Sequence, residues 1–259
     1  MSYQHIKVAA EAPLGRLVLH RPDTITPLSL ALIHEPLGAR DEMTADPSVR
    51  VVIIEGIGRG FSVGHDLNEM IDQDRSFYDE LFSTSTRMME RIQAMPEPVI
   101  AKVHGIAAAA GCQLVAACDL AVAAEGSRFG TTGLKVGLFC STPMVPLSRA
   151  VGRKRAMEML LTGEPIDAAT AADWGLVNRV VPLEDLEEAT VELAMQIAAY
   201  SSEVVGLGKA AFYRQEELPQ HDAYAMTKDV MADNAVIPDG QEGFRAFLEK
   251  RPAVWSNPA

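Results

Sequence analysis

At 259 residues and 48% hydrophobic content, the chain can bury a sizeable core as one large domain or two small ones. Lys and Arg number 23 against 35 Asp and Glu, a net charge of −12 with no basic block, which argues against a nucleic-acid or anionic-membrane partner. Three cysteines, Cys112, Cys118 and Cys140, lack the paired short spacing of a zinc site, so no metal is expected and reduced thiols in a cytoplasmic protein are.

The first residues, "MSYQHIKVAA", carry neither a basic segment followed by an apolar one nor an Arg/Ser-rich leader, and no targeting signal is read from them. Apolar stretches are interrupted well short of the roughly 20 residues that a spanning helix needs. "GRLVLHRP" (15–22) alternates and stops at Pro22, and "VRVVIIEG" (49–56) is a β-branched run ended by glycine; both predict buried strands. Between them "SLALIHEPLGARDEM" has helical spacing, but Pro36 removes a hydrogen bond and clashes in a helix interior, so a short or kinked helix is expected.

Two short motifs follow the second strand. "GIGRG" (56–60) invites a dinucleotide-binding reading, yet the sixth position is Phe61 and the acidic residues Asp79 and Glu80 fall in a polar helical stretch, so a turn is expected. "GFSVG" (60–64) fits the elbow of a serine hydrolase, with Ser62 as nucleophile and Asp119 or Asp173 and His221 as partners. Four residues separate it from the strand, and the His104-Gly105 pair lies downstream, so this remains an outside alternative.

Further on, "PVIAKVHGI" (98–106) predicts a third strand, "AGCQLVAACD" a short helix, and "LAVAAEGSRFG" a strand and turn. Residues 153–161 and 183–200 turn helical, and Asp239 with Glu242 looks like a capping pair opening a last helix with Phe244, Phe247 and Leu248 on its apolar face. The small-residue run 107–111 matters most. A helix N-terminus exposes unpaired N–H groups and partial positive charge, so an anionic oxygen can approach closely, and Gln113 in the first turn leans back toward it. Taken alone, such a run is more readily explained by tight packing than by catalysis.

"FSVGHDLNEM" and "VHGIAAAAGCQLVAACD" together resemble the enoyl-CoA hydratase/isomerase superfamily, the crotonase fold. That family has an F-(A/S)-x-G-x-D-(L/I)-x-E-M segment and an H/N-G-x-A-x-G-G-G-x-E-L-x-x-x-C-D segment. The likeness extends through "RPDTITPLS", "FGTTGLKVGL", "LLTGEPIDAATAADWGLVNRVVP" and "GQEGFRAFLEKRPAVW", and "GLFCSTP" with "AAGCQLVAACDLAVA" points to one branch. It implies an α/β spiral of repeated β-β-α units over residues 1–200 and a C-terminal helical oligomerisation region over 201–259. It also implies an acyl-CoA thioester as substrate, no separate cofactor, and trimers or hexamers.

Residue by residue, the resemblance implies that the backbone N–H groups of His65 and Ala110 form an oxyanion hole. Ala110 replaces a family glycine, which is harmless if that residue is helical and strained if it needs positive φ. The two hydratase glutamates correspond to Gln113 and Gly133, so neither is a carboxylate, and each missing acid or base is expected to cost on the order of 10²–10⁴ in rate. Hydration is therefore expected to be weak or altered, with a non-catalytic acyl-CoA binding protein as the alternative. The ring of His65 is the one side chain near the proposed site that titrates close to neutrality, and a structural or stacking role is its plainer reading. Gly64, Asp66, Leu67, Gly111 and Cys140 are further substrate-site positions; Ser141 and Thr142 follow Cys140, and Glu69 matches a structural motif position. The family's basic residue after "RP" is absent, leaving Arg21 as the nearby cation, and Phe247 and Lys250 match residues that touch a neighbouring subunit's ligand.

Overall fold

The computed structural model describes residues 3–44 and 46–256. Its strands are β1 (Ile6–Glu11), β2 (Leu14–Leu19), β3 (Val51–Gly56), β4 (Val99–Val103), β5 (Ile106–Ala108), β6 (Leu120–Ala124), β7 (Arg128–Gly130), β8 (Ile166–Asp167) and β9 (Arg179–Val181). The helices are α1 (Leu30–Thr44), α2 (Arg75–Ala94), α3 (Ala110–Ala117), α4 (Met144–Val151), α5 (Arg153–Thr162), α6 (Ala168–Trp174), α7 (Leu186–Ala198), α8 (Ser202–Glu216), α9 (Gln220–Val236) and α10 (Pro238–Glu249).

A six-stranded sheet has the order β1-β2-β3-β4-β6-β9, antiparallel only between β1 and β2, and a three-stranded sheet has the order β5-β7-β8. Parallel strands covered on both faces need apolar residues at successive positions, which is why β3 reads as an unbroken Val-Val-Ile-Ile run. Val52 and Ile54 face a core shared with α1, α2 and α3, while Val51 and Ile53 face a second core closed by Leu186, Ala194 and Ala198 of α7.

Three local expectations change. First, α1 is not short: it continues through Pro36 for 15 residues, with Pro36's missing N–H leaving one interior hydrogen bond unmade while the buried Leu32 and Ile33 hold the helix on the core. Second, the run expected as one strand over 98–106 divides at His104-Gly105 into β4 and β5, which join different sheets. Gly105 permits the break: its φ is 61°, and a Cβ there would lie 2.8 Å from the Cα of Gly60. Third, Asp239 and Glu242 do not cap α10, which begins at Pro238 with no side-chain cap. Asp239 accepts from the Ser256 amide at 2.8 Å, and Glu242 binds the Arg251 guanidinium at 2.6 and 3.0 Å, so both tie down the tail.

The C-terminal helices are anchored to the rest through Lys209 of α8. Its Nζ donates to the carbonyls of Ile92 and Glu97 and pairs with Asp119 at 2.6 Å.

Candidate functional site

The mouth of α3 is set by close backbone packing. Ala108 N donates to the Ser62 carbonyl at 2.9 Å, Ser62 and Ala107 form a parallel bridge, and a Cβ on Gly111 would lie 2.9 Å from the Ser62 carbonyl carbon. At Gly64 a Cβ would stand 3.0 Å from Ala110 N and 2.9 Å from Ala109 Cβ, so the missing side chain keeps the Ala110 amide uncovered. Ala110 is the first residue of α3, and the first intrahelical bond runs from Gln113 N to Ala109 O at 3.0 Å. Neither the Ala110 nor the His65 amide donates to a protein acceptor among the described residues. Positive φ falls on Ala109 (φ 48°, ψ −117°) while Ala110 is helical, so the strain sits one residue before the oxyanion candidate and costs about 1–3 kcal/mol.

Both amides belong to residues lining a cavity of about 560 Å³. Arg21, Asp66, Leu67, Gly133 and Cys140 line it too, whereas Gln113, Gly111, Phe247 and Lys250 do not, and Gly64 lies behind its wall. Through Leu67, Met70, Phe82, Val136 and Leu138 the cavity adjoins a more open apolar groove of about 780 Å³.

The polar side chains divide into those spoken for and those free. Arg21 Nη1 reaches Asp66 Oδ2 at 2.9 Å and the Pro27 carbonyl at 3.3 Å, so the nearby cation is engaged inside the chain. Burial works against the Asp66 carboxylate, but hydrogen bonds from Arg21 and Asn68 outweigh it and hold the group below the usual carboxylate range. Glu69 caps α1 through Leu30 N at 2.6 Å, and burial raises its pKa. The His65 ring places Nδ1 3.4 Å from the Leu28 carbonyl and meets Phe82 edge-on at 5.5 Å. Burial lowers its pKa, opposed by the Leu28 carbonyl, so the ring is neutral at pH 7.

The two positions expected to match the family glutamates differ. Gln113 is 3% exposed, and its Oε1 accepts from Thr142 Oγ1 at 3.4 Å, a long bond that links it to the cavity wall without making it part of that wall. At Gly133 a Cβ would run into the Leu138 carbonyl oxygen and lie 2.8 Å from Cys140 Sγ, so the strap 132–143 has closed over the place of a side chain. Burial raises the Cys140 thiol pKa, and burial first, then Cys140 nearby, pushes that of Cys112 up to about 12.

The hydrolase alternative fails on geometry. Ser62 is fully buried, donating to the Thr26 carbonyl at 2.8 Å and accepting from Gly64 N at 3.3 Å. Asp119 is committed to Lys209, Tyr213 and the Val99 amide, while Asp173 and His221 lie exposed on other helices. Sequence reasoning missed Phe82, Leu138 and Phe139 as cavity walls; the amphipathic stripe of α2 was the available signal for Phe82. It missed Ala109 as well, because only dihedral angles separate it from its alanine neighbours.

Comparison with known proteins fits this geometry. The family model described as enoyl-CoA hydratase/isomerase matches residues 10–258. The human protein named enoyl-CoA hydratase domain-containing protein 3, mitochondrial, is 50% identical over 248 residues, 94% of this chain and 81% of that protein. Its Xenopus laevis counterpart is 47% identical over 248 residues, 95% of this chain and 84% of that protein. The crystal structure of an enoyl-CoA hydratase from Mycobacterium smegmatis superposes with a TM-score of 0.94 at 46% identity, covering 97% of this chain and 99% of that one. The α/β crotonase-type fold and the branch expected from sequence are thus both met. The cytoplasmic expectation is overturned, because the human and Xenopus laevis relatives carry a mitochondrial name. The three free cysteines had suggested it, but unpaired thiols fit any reducing compartment.

Proposed function

The chain belongs to the enoyl-CoA hydratase/isomerase family, and on that premise we propose that it binds an acyl-CoA thioester with the carbonyl oxygen between the amides of His65 and Ala110. The observation that carries this reading is the pair of unpartnered amides, one at the N-terminus of α3, brought beside each other by Gly64 at the wall of an apolar-lined cavity. Donors fixed by the backbone meet charge developing on the thioester oxygen without reorganising, which stabilises an enolate-like state. No separate cofactor takes part.

Hydration of a conjugated double bond is slow in this reading. Gln113 holds no titratable proton and lies behind the cavity wall, and Gly133 holds no side chain, so neither position offers a carboxylate to activate water. A purely binding role is the second reading, and the closed packing at Gly133 favours it. Residues 201–259 form the oligomerisation region of a trimer or a pair of trimers, supported by the exposed apolar side chains of Tyr224, Met231, Phe247 and Leu248. In that assembly Phe247 and Lys250 act on a neighbour's ligand.

The test is direct. Calorimetry with crotonyl-CoA measures binding, and loss of the conjugated thioester absorbance measures hydration. Binding with turnover far below that of a two-glutamate hydratase is expected; absence of binding defeats the proposal, and binding with no chemistry on any acyl-CoA selects the second reading.

A further inference from the structure

Among the described residues, the titratable side chains in the cavity wall are few. They are Arg21, His65, Asp66 and Cys140. Arg21 and Asp66 neutralise each other at 2.9 Å, and the second Asp66 oxygen takes the Asn68 amide at 3.2 Å and its Nδ2 at 3.0 Å. The Cys140 thiol is buried and stays protonated at neutral pH. His65 is different. The Leu28 carbonyl can only accept, so the hydrogen of the neutral ring is on Nδ1, and Nε2 carries the lone pair. Nε2 has no protein partner among the described residues, and the Phe82 edge holds the ring in place.

We infer that His65 Nε2 is the base that removes and returns a proton at the α-carbon of the bound acyl-CoA. This rests on the thioester reading above and deepens it. The ring hangs from the Cα bonded to the amide nitrogen that holds the thioester oxygen, so the acyl α-carbon, two bonds from that oxygen, falls within the same residue's reach. In the step the Nε2 lone pair takes the α-proton and the C–H electrons form a bond between the α-carbon and the carbonyl carbon. The carbonyl pair moves onto the oxygen between the His65 and Ala110 amides. Return of a solvent-exchanged hydron from Nε2 regenerates the thioester, so nothing is consumed. Such a site exchanges or relocates α-hydrogens without needing the carboxylates that water addition requires, which accounts for a retained oxyanion pair beside Gln113 and Gly133.

The elements around the ring carry Asp66 and Glu69 on the short helix Leu67–Met70 and its cap, Tyr78 and the Arg75–Asp79 pair on α2, and Cys140 on the strap. Burial and, second, the Leu28 carbonyl set the ring's titration, with none of those charges contributing.

The test incubates the full-length protein with butyryl-CoA in deuterium oxide and reads α-deuteration by mass spectrometry, alongside calorimetric binding of the same compound. Wild type is expected to bind and to exchange, and His65→Gln to lose at least about 10²-fold in exchange rate while its affinity changes far less. The wild-type rate is expected to rise with pH through a transition below the ordinary histidine value and then level off, a readout that needs no variant. Binding without exchange, exchange in His65→Gln within threefold of wild type, or a rate that does not respond to pH in that range overturns the assignment while leaving the thioester reading intact. No binding of butyryl-CoA overturns both.

Discussion

At the mouth of α3, Gln113 keeps a side chain as long as a glutamate, buried at 3% exposure and linked to Thr142, while across the cavity Gly133 has none and the Leu138 carbonyl and Cys140 Sγ occupy the space. The first position differs from a carboxylate by one functional group. The second differs by the course of a whole strap, because Leu138 N also donates to Gly133 O at 3.0 Å and closes the turn on itself. A single substitution can place a carboxyl at position 113 without moving the backbone, but not at position 133.

The largest effect is therefore expected for Gly133→Glu. Its side chain has nowhere to go without moving the strap, an overpacking cost of about 3 kcal/mol or more. A thermal melt should show a fall of about 6–12 °C, and crotonyl-CoA hydration should not rise; a stable, faster hydratase would show that the strap yields. Gln113→Glu keeps the shape and adds a proton carrier, so hydration is expected to rise by about 10², the low end for one acid–base group. Because a buried carboxyl titrates late, that gain should grow with pH. An unchanged rate would mean that Thr142 shields the position completely.

Smaller effects sharpen the contrast at the rigid wall. Ala109→Gly relieves a positive φ at the N-cap of α3 but loosens the unfolded chain, for a net gain of about 1 kcal/mol. Calorimetry should register a melting point raised by about 2–4 °C with acyl-CoA affinity unchanged. The smallest expected change is in pH dependence. The His65 pKa is lowered in the folded state, so its contribution to stability is complete above the ordinary value of 6.5 and is lost as pH falls through the lower folded value. Denaturant titrations of wild type should lose stability on acidification in that window, and His65→Gln should flatten the loss.

Strain marks the same boundary. Among the described residues, three of the five non-glycine residues with positive φ lie at the cavity: Ile25 and Thr26 between the lining residues Thr24 and Pro27, and Ala109 in the wall, with Asp72 two residues beyond the lining Met70. The fifth, Lys250, ends α10. Sequence offered no sign of this, since Ala109 sits in a row of four alanines and Ile25 and Thr26 are residues that ordinarily avoid such angles.

Much of the rest was legible because it is local. The alternation of β2, the β-branched run of β3, the short helix α3 after small residues and the amphipathic α7 depend on side chains a few positions apart, and they stand where the sequence puts them. The division of residues 98–106 between two sheets, the passage of α1 through Pro36 and the use of Asp239 and Glu242 to hold the tail depend on partners far along the chain. Ser62 belongs with these: its motif suggested a nucleophile, and its burial against the Thr26 carbonyl, far from any acid and base partner, removes that role.

By itself the sequence determined the family and offered, as expectations, two amide donors and two positions without a carboxylate, because these are matters of residue type at fixed spacing. Tertiary structure alone decided that Arg21 is held by Asp66, that position 133 is sealed, and that burial lowers the pKa of His65. Each of those depends on burial and on hydrogen-bond partners brought from elsewhere in the chain, and neither is written in any local window of residues.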